Sequence, residues 1–269
     1  MKTLRQIAAF GLIACASLSA HAHRQFLLPS ATVVSGNSPW ITVDAAAASN
    51  VFEFDHVALN LTPLQITAPD GSLIKAENLF TGRFRSSFDV PLVQTGSYKI
   101  SLVSDALMAS YKENGEQKRW RGNAADLAKA LPANATDVQV SQRSSRVETI
   151  VTNGKPGGKA LEPGKRGLEL SVITHPNDLV AGENASFRLL LDGKPAANAK
   201  VELIAGGLRY RQQLNSENYT TDADGKFSVN WKQPGMYWLA AEVKDNQGAT
   251  PPATVRVASY VLTLEVLPQ

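Results

Sequence analysis

From about residue 24 to the C-terminus, apolar and polar positions alternate over short runs, and the runs are broken by Gly, Pro, Asn and Asp. Successive side chains of a strand point to opposite faces, so this spacing predicts β-strands. In the first half the strand-like runs are "WITVDAA", "LQITA", "FRSSFDVPL" and "SYKISLVS". In the second half they are "LELSVIT", "SFRLLLDG", "AKVELIA", "KFSVNWK", "MYWLAAEVK" and "YVLTLEVL". One stretch, "GNAADLAKAL", has helical character, with Asn123 as the N-cap and Pro132 as the stop.

The two halves repeat one grammar. "LQITAPDGS…RFRSSFDVPLVQTGSYKISLVS" and "VELIAGG…TTDADGKFSVNWKQPGMYWLAAEV" each run strand, turn, strand, then a Gly-x-Tyr corner that opens a further strand. The corners are Gly96-Ser97-Tyr98 and Gly235-Met236-Tyr237. Asp192-Gly193 and Asp224-Gly225 favour tight turns, and Phe227, Val229 and Trp231 fall on one strand face. The expected fold is all-β: two immunoglobulin-like β-sandwiches with one short helix between them. A Cys…Trp…Cys core of the antibody type is excluded. The Gly-, Pro- and Lys-rich stretch at 152–167 predicts a boundary near 155–167. That divides the chain into an N-terminal sandwich with the helix attached (23–155), a linker (156–166) and a C-terminal sandwich (167–269). A single large sandwich is the alternative.

The first 22 residues change the picture. Lys2 and Arg5 precede an apolar run from Ile7 to Ala14, and Ala20-His21-Ala22 offers small residues to a signal peptidase. The expectation is export to the periplasm, with His23 as the mature N-terminus. Two alternatives stand beside it: lipidation at Cys15 in "LIAC", and a cut after Ala20. No later run reaches the roughly 20 apolar residues of a membrane helix. The chain carries 27 basic and 24 acidic residues. Two of the basic ones lie in the signal, so the mature chain is nearly neutral and gives no electrostatic case for nucleic acid. The single cysteine, Cys15, is also in the signal, so no thiol chemistry is expected of the mature protein.

Several segments carry resemblances. "DGKPAANAKVELI", "TTDADGKFSVNW" and "PGMYWLAAEV" resemble bacterial prealbumin-like and carboxypeptidase-regulatory-like sandwiches. Over the mature length, "AHAHRQFLLPS", "WITVDAAAASNVFEFDH", "PDGS", "YKENGEQKRWRG" and "THPNDLVAGE" resemble a periplasmic family of unknown function. That family is labelled as the periplasmic component of cobalt/nickel-type uptake systems, and its members often begin at a histidine. The resemblance implies metal handling and a membrane transporter or outer-membrane receptor as partner.

An N-terminal histidine offers its α-amine and a ring nitrogen to one metal, and a second imidazole completes a brace suited to copper. The mature chain keeps His23, His56 and His175 as candidate ligands for copper, nickel or cobalt. If the preceding strand continues, Phe52, Phe54 and His56 share a face, and Asp55 stands ready to orient an imidazole. The bland reading makes His56 a partly buried histidine and His175, before Pro176, a turn histidine beside Asp178. "YKENGEQKRWRGN" reads as a hairpin around Asn114-Gly115 followed by a packed Trp120, or as a basic site for an anionic partner. Asn-x-Ser/Thr sequons at Asn60, Asn134, Asn184 and Asn218 matter only in a eukaryotic source. No nucleophile elbow, P-loop, His-Glu-x-x-His or dinucleotide motif occurs, so no enzyme is expected. Copper oxygenases that begin with histidine are the enzymatic alternative. The leading expectation is an exported, non-enzymatic metal-binding protein. The other is an interaction module whose C-terminal sandwich docks a membrane transporter or receptor through a sheet edge without metal.

Overall fold

The computed structural model describes residues 23–269; the expected signal segment, with Cys15, lies outside the described residues. The first half contains β1 (Arg24–Pro29), β2 (Val33–Val34), β3 (Trp40–Ala48), β4 (Val57–Ala58), β5 (Leu64–Thr67), β6 (Leu73–Ile74), β7 (Glu77–Thr81) and β8 (Ser86–Pro91). Two long strands follow, β9 (Gly96–Glu113) and, after β10 (Glu116–Gly122) and the helix α1 (Ala124–Ala130), β11 (Thr136–Asn153). The second half contains β12 (Leu168–Val172), β13 (Asn184–Leu191), β14 (Lys194–Pro195), β15 (Lys200–Ala205), β16 (Glu217–Thr220), β17 (Lys226–Asn230), β18 (Gly235–Asp245) and β19 (Val255–Val266).

These strands form three stacked layers. A front sheet has the order β1-β3-β8-β7, with β4 beside β3. A central ten-stranded sheet runs β16-β15-β18-β19-β11-β9-β5-β6, with β10 on β9 and β2 on β11. A back sheet holds β12-β13-β14, with β17 on β13. Alternation along β11 shows how the layers share it. Val147 and Val151 pack with Leu27, Val43 and Phe88 of the front sheet. Ile150 packs with Phe187, Phe227 and Trp231 on the opposite side. In the same way Leu262 and Leu264 of β19 face the back sheet, whereas Trp238 of β18 and Ile204 of β15 face Phe26 and Ala46 of the front sheet.

The all-β, sandwich-like fold with one short helix agrees with the sequence reading, and the two halves are joined through a common sheet. β11 and β19 pair in parallel from Ser141↔Val255 to Thr149↔Thr263, so one sheet spans both halves. The seam is buried only at its far end: Val147 to Asn153 of β11 are all buried, whereas Ser141 to Arg146 are half-buried or exposed. Within 155–167 the chain is also tied down: Ser97 N–H donates to Gly157 O at 2.8 Å and Lys159 N–H to Pro69 O at 2.7 Å. Gly158 has φ +119°, and a Cβ there would lie 2.6 Å from Pro69 O, so only glycine fits.

The two Gly-x-Tyr segments form matching corners. Tyr98 Oη donates to Gln94 O at 3.0 Å, and Tyr237 Oη donates to Gln233 O at 2.8 Å. Each hydroxyl bonds backbone four residues upstream, which is the tyrosine-corner arrangement of immunoglobulin-like sandwiches. The helix is capped as expected, with Asn123 Oδ1 accepting from Asp126 N–H at 3.1 Å. Asn114 and Gly115 both have positive φ and join β9 to β10 in a tight hairpin, and Trp120 packs against Leu107 and Leu127. A buried polar cluster fastens the back sheet. Arg146 reaches Glu148 at 3.2 Å and Glu169 at 2.5 Å, and Tyr260 Oη donates to Glu148 at 2.9 Å. Burial raises the Glu169 carboxyl above its ordinary range, with the Arg146 charge opposing.

Candidate functional site

The end of β3 is built from small side chains, Ala45 to Ala48, all buried. Strands run along both of its edges. On one edge β1 pairs as far as Arg24↔Ala48, and His23 stands one position further out. On the other edge β4 begins with Val57↔Ala47, and His56 stands one position before it. Two distant histidines are thus delivered to the same strand end. The intervening segment is a turn rather than the continued strand expected from "VFEFDH": Phe52 has φ +65°. Its aromatic rings fold onto the core instead of sharing a strand face with His56. Phe52 meets Phe26 edge-on at 5.3 Å, and Phe54 lies 5.8 Å from the same ring, beneath the Arg85 guanidinium at 4.8 Å. Asp55 does not orient an imidazole; it accepts from Ser49 N–H at 2.9 Å and closes the turn.

β1 is held in turn by the second half. Trp238 Nε1–H donates to Gln25 O at 2.8 Å, and the Arg24 guanidinium lies 5.8 Å from the Trp238 ring while donating to Ser49 O at 3.0 Å.

The result is a stacked pair. The His23 and His56 rings have centroids 3.3 Å apart and planes 3° apart, and both residues are exposed. Among the described residues no group of three or more His, Cys, Asp or Glu side chains is placed to hold a metal ion. The ligands on offer are two imidazoles, with the His23 α-amine added if the chain begins there. A ring nitrogen's lone pair lies in the ring plane, so parallel rings cannot both aim at one ion. Ligation by both requires rotation out of the stack, and exposure leaves them room to turn.

His175 is not brought to this pair. Its Nδ1 accepts from Asn177 N–H at 3.0 Å, which fixes the proton on Nε2, and Nε2–H donates to Ser97 Oγ at 2.9 Å. Ser97 then links to Thr152 at 2.9 Å, and Thr152 Oγ1–H donates to Asn177 Oδ1 at 2.8 Å. Both ring nitrogens are therefore committed to protein partners. The ring cannot serve as a base toward Ser97, because the nitrogen facing that hydroxyl carries the proton. Burial pushes the His175 ring below its ordinary value of 6.5, with Asp178 pulling the other way. Asp178 N–H donates to His175 O, so the segment is a turn.

A groove of about 590 Å³ opens beside His23 on the front face of the central sheet, where the front sheet no longer covers it. Arg24, Arg121, Arg143 and Trp238 line it. Of these the sequence reading singled out only Arg121, in the basic hairpin; what assembles the rest is pairing between distant strands. No described helix is long and apolar enough to cross a membrane.

Among solved structures the chain is similar to the D0–D1 domain of intimin, 13% identical over 90% of this chain and 97% of that one, with a TM-score of 0.23. It is also similar to a DUF3823 family protein from Bacteroides uniformis (10% identity, 91% and 100% coverage, TM-score 0.25). A third is a D1–D4 ectodomain fragment of ICAM-5 (8% identity, 91% and 51% coverage, TM-score 0.22). At TM-scores this low the likeness adds nothing to the fold already described. Among curated proteins none matches the chain. A family model does match, over residues 20–245, and by it the chain belongs to DUF4198, a family defined by a domain of unknown function.

Proposed function

We propose that the processed chain is an exported, non-enzymatic protein that binds a copper or nickel ion, or cobalt, through His23 and His56 in envelope metal handling. The observation that supports this is the pairing of the two rings at 3.3 Å by strands on opposite edges of β3. Imidazole nitrogens suit these metals, and an amine beside a ring gives a chelate. Protein beginning at His23 is titrated with copper or nickel against a competing chromophoric chelator. One ion bound by wild type and lost in His23→Ala and His56→Ala is the expected result. Equal binding by wild type and His23→Ala refutes the reading. Export and processing are checked by intact mass of envelope-extracted protein: a chain starting at His23 is expected, and diacylglycerol on Cys15 refutes it.

A second reading, a docking module without metal, is favoured by β7. Among the described residues this edge strand pairs only with β8, every residue of it is exposed, and Phe80 stands 64% exposed. An open edge of this kind can add a partner's strand. Loss of membrane association in Phe80→Glu, with metal affinity unchanged, would support that reading. Unchanged association would remove it.

A further inference from the structure

We propose that the groove beside the histidine pair binds a small polycarboxylate, the chelating companion with which a transition metal reaches His23 and His56. This rests on the metal reading above. Copper and nickel take four or more ligands. Two imidazoles and an amine fall short of that, and no third His, Cys, Asp or Glu joins the pair among the described residues. The remaining positions are open to ligands from outside the chain, water or a bound chelator, and a chelator fills several of them at once.

The groove has the chemistry for such a guest. Its size falls within the roughly 300–1,000 Å³ of small-molecule sites. Its cations are Arg24, Arg121, Arg143 and Lys200, set against the carboxylates Glu202 and Glu242. Arg121 and Arg143 are exposed, and neither forms an ion pair among the described residues. A guanidinium left free in this way can grip a carboxylate with two parallel hydrogen bonds.

The floor is a row of hydroxyls. Ser104 of β9 stands opposite Ser145 of β11, which stands opposite Ser259 of β19. All three line the groove. Adjacent strands are about 4.8 Å apart, so the row spans about 10 Å, the reach of a di- or tricarboxylate. On the same face, two positions further along each strand, the cross-strand row is Leu102, Val147 and Val261, packed beneath the front sheet. The change from apolar to hydroxyl falls where the front sheet ends and His23 begins. Glu242 and Lys200 continue the serine row onto β18 and β15 and face each other across it. The acidic side chains therefore lie toward the β15–β18 side, and the anion is placed at the β9–β11 side, between Arg121 and Arg143.

Metal-free protein beginning at His23 is titrated calorimetrically with citrate at low salt, and the same samples are titrated separately with copper. Saturable citrate binding is expected, weakened about tenfold or more in Arg143→Ala and Arg121→Ala. Ser145→Leu should abolish it by filling the floor, and Ser145→Thr, which keeps the hydroxyl, should retain it. Absence of citrate binding by wild type overturns the groove, as does binding unchanged in both arginine variants. Copper lost from His23→Ala while citrate binds normally supports the proposal and shows the two sites to be separable. A protein that holds citrate but no copper keeps the groove and removes the metal site instead.

Discussion

His23 and His56 stand exposed at a strand end with no hydrogen-bond partner among the described residues, whereas His175 is half-buried with both ring nitrogens committed. One sequence feature, a histidine flanked by strand-like runs, has two opposite fates. Partner supply decides between them. Where backbone N–H groups and hydroxyls saturate the ring, it becomes a structural fastener; where a strand end leaves the nitrogens free, it can take a ligand.

The sharpest way to break this contrast is to remove each histidine and read both metal affinity and stability. His23→Ala, or a chain with one residue added before His23, is expected to lose about a hundredfold or more in copper affinity, because a ligand costs at least what its supporting groups cost. Its unfolding midpoint should not move. His175→Ala should do the reverse. It leaves Asn177 N–H without its acceptor, costing about 1–3 kcal/mol in urea unfolding, with copper affinity unchanged.

Acid sharpens the contrast further. The folded His175 ring takes a proton only below its ordinary value of 6.5, while the unfolded chain takes one near it. Between the two values the unfolded state binds more protons. The His175 contribution is therefore complete above about 6.5 and lost as the pH falls through the folded value. Urea midpoints compared at pH 7.5 and 5 should fall more for wild type than for His175→Asn. Metal affinity should fall over the histidine range for a different reason, since protonated imidazole cannot ligate. That loss should persist in His175→Asn.

The smallest effect separates the two tyrosine corners. Tyr98 Oη donates to Gln94 O and also accepts from Gln94 N–H at 2.6 Å, whereas among the described residues the Tyr237 hydroxyl makes only the donated bond. Tyr237→Phe should cost about 1 kcal/mol and Tyr98→Phe somewhat more, read by the same unfolding experiment.

Local pattern made much of this legible. Period two, the Asp-Gly and Asn-Gly turns, the capped helix and both tyrosine corners lie within short windows of sequence. The histidine pair was legible only as a possibility, through the processing site that would put His23 at the N-terminus. Its partner could not be chosen, because β1 and β4 meet across β3 and not along the chain. "VFEFDH" misled because alternation persists into a turn when Phe52 and Phe54 must both reach Phe26. The fate of His175 depends on Ser97, 78 positions away. The shared central sheet was hidden for a similar reason: alternation tells which face a residue takes, not which strand lies along its edge.

The parallel seam between β11 and β19 governs the order in which the molecule can be completed. Thr149 and Thr263, 114 positions apart, meet across it, and β19 follows every other described strand in chain order. Until β19 is in place, β11 and β18 each show an unpaired edge, and the rings of Tyr98 and Phe187 lie on opposite sides of a layer that has a gap in it. Contacts this remote in sequence form slowly. A chain cut before Val255 would lose the strand that both halves need, and would present two sticky edges to its neighbours.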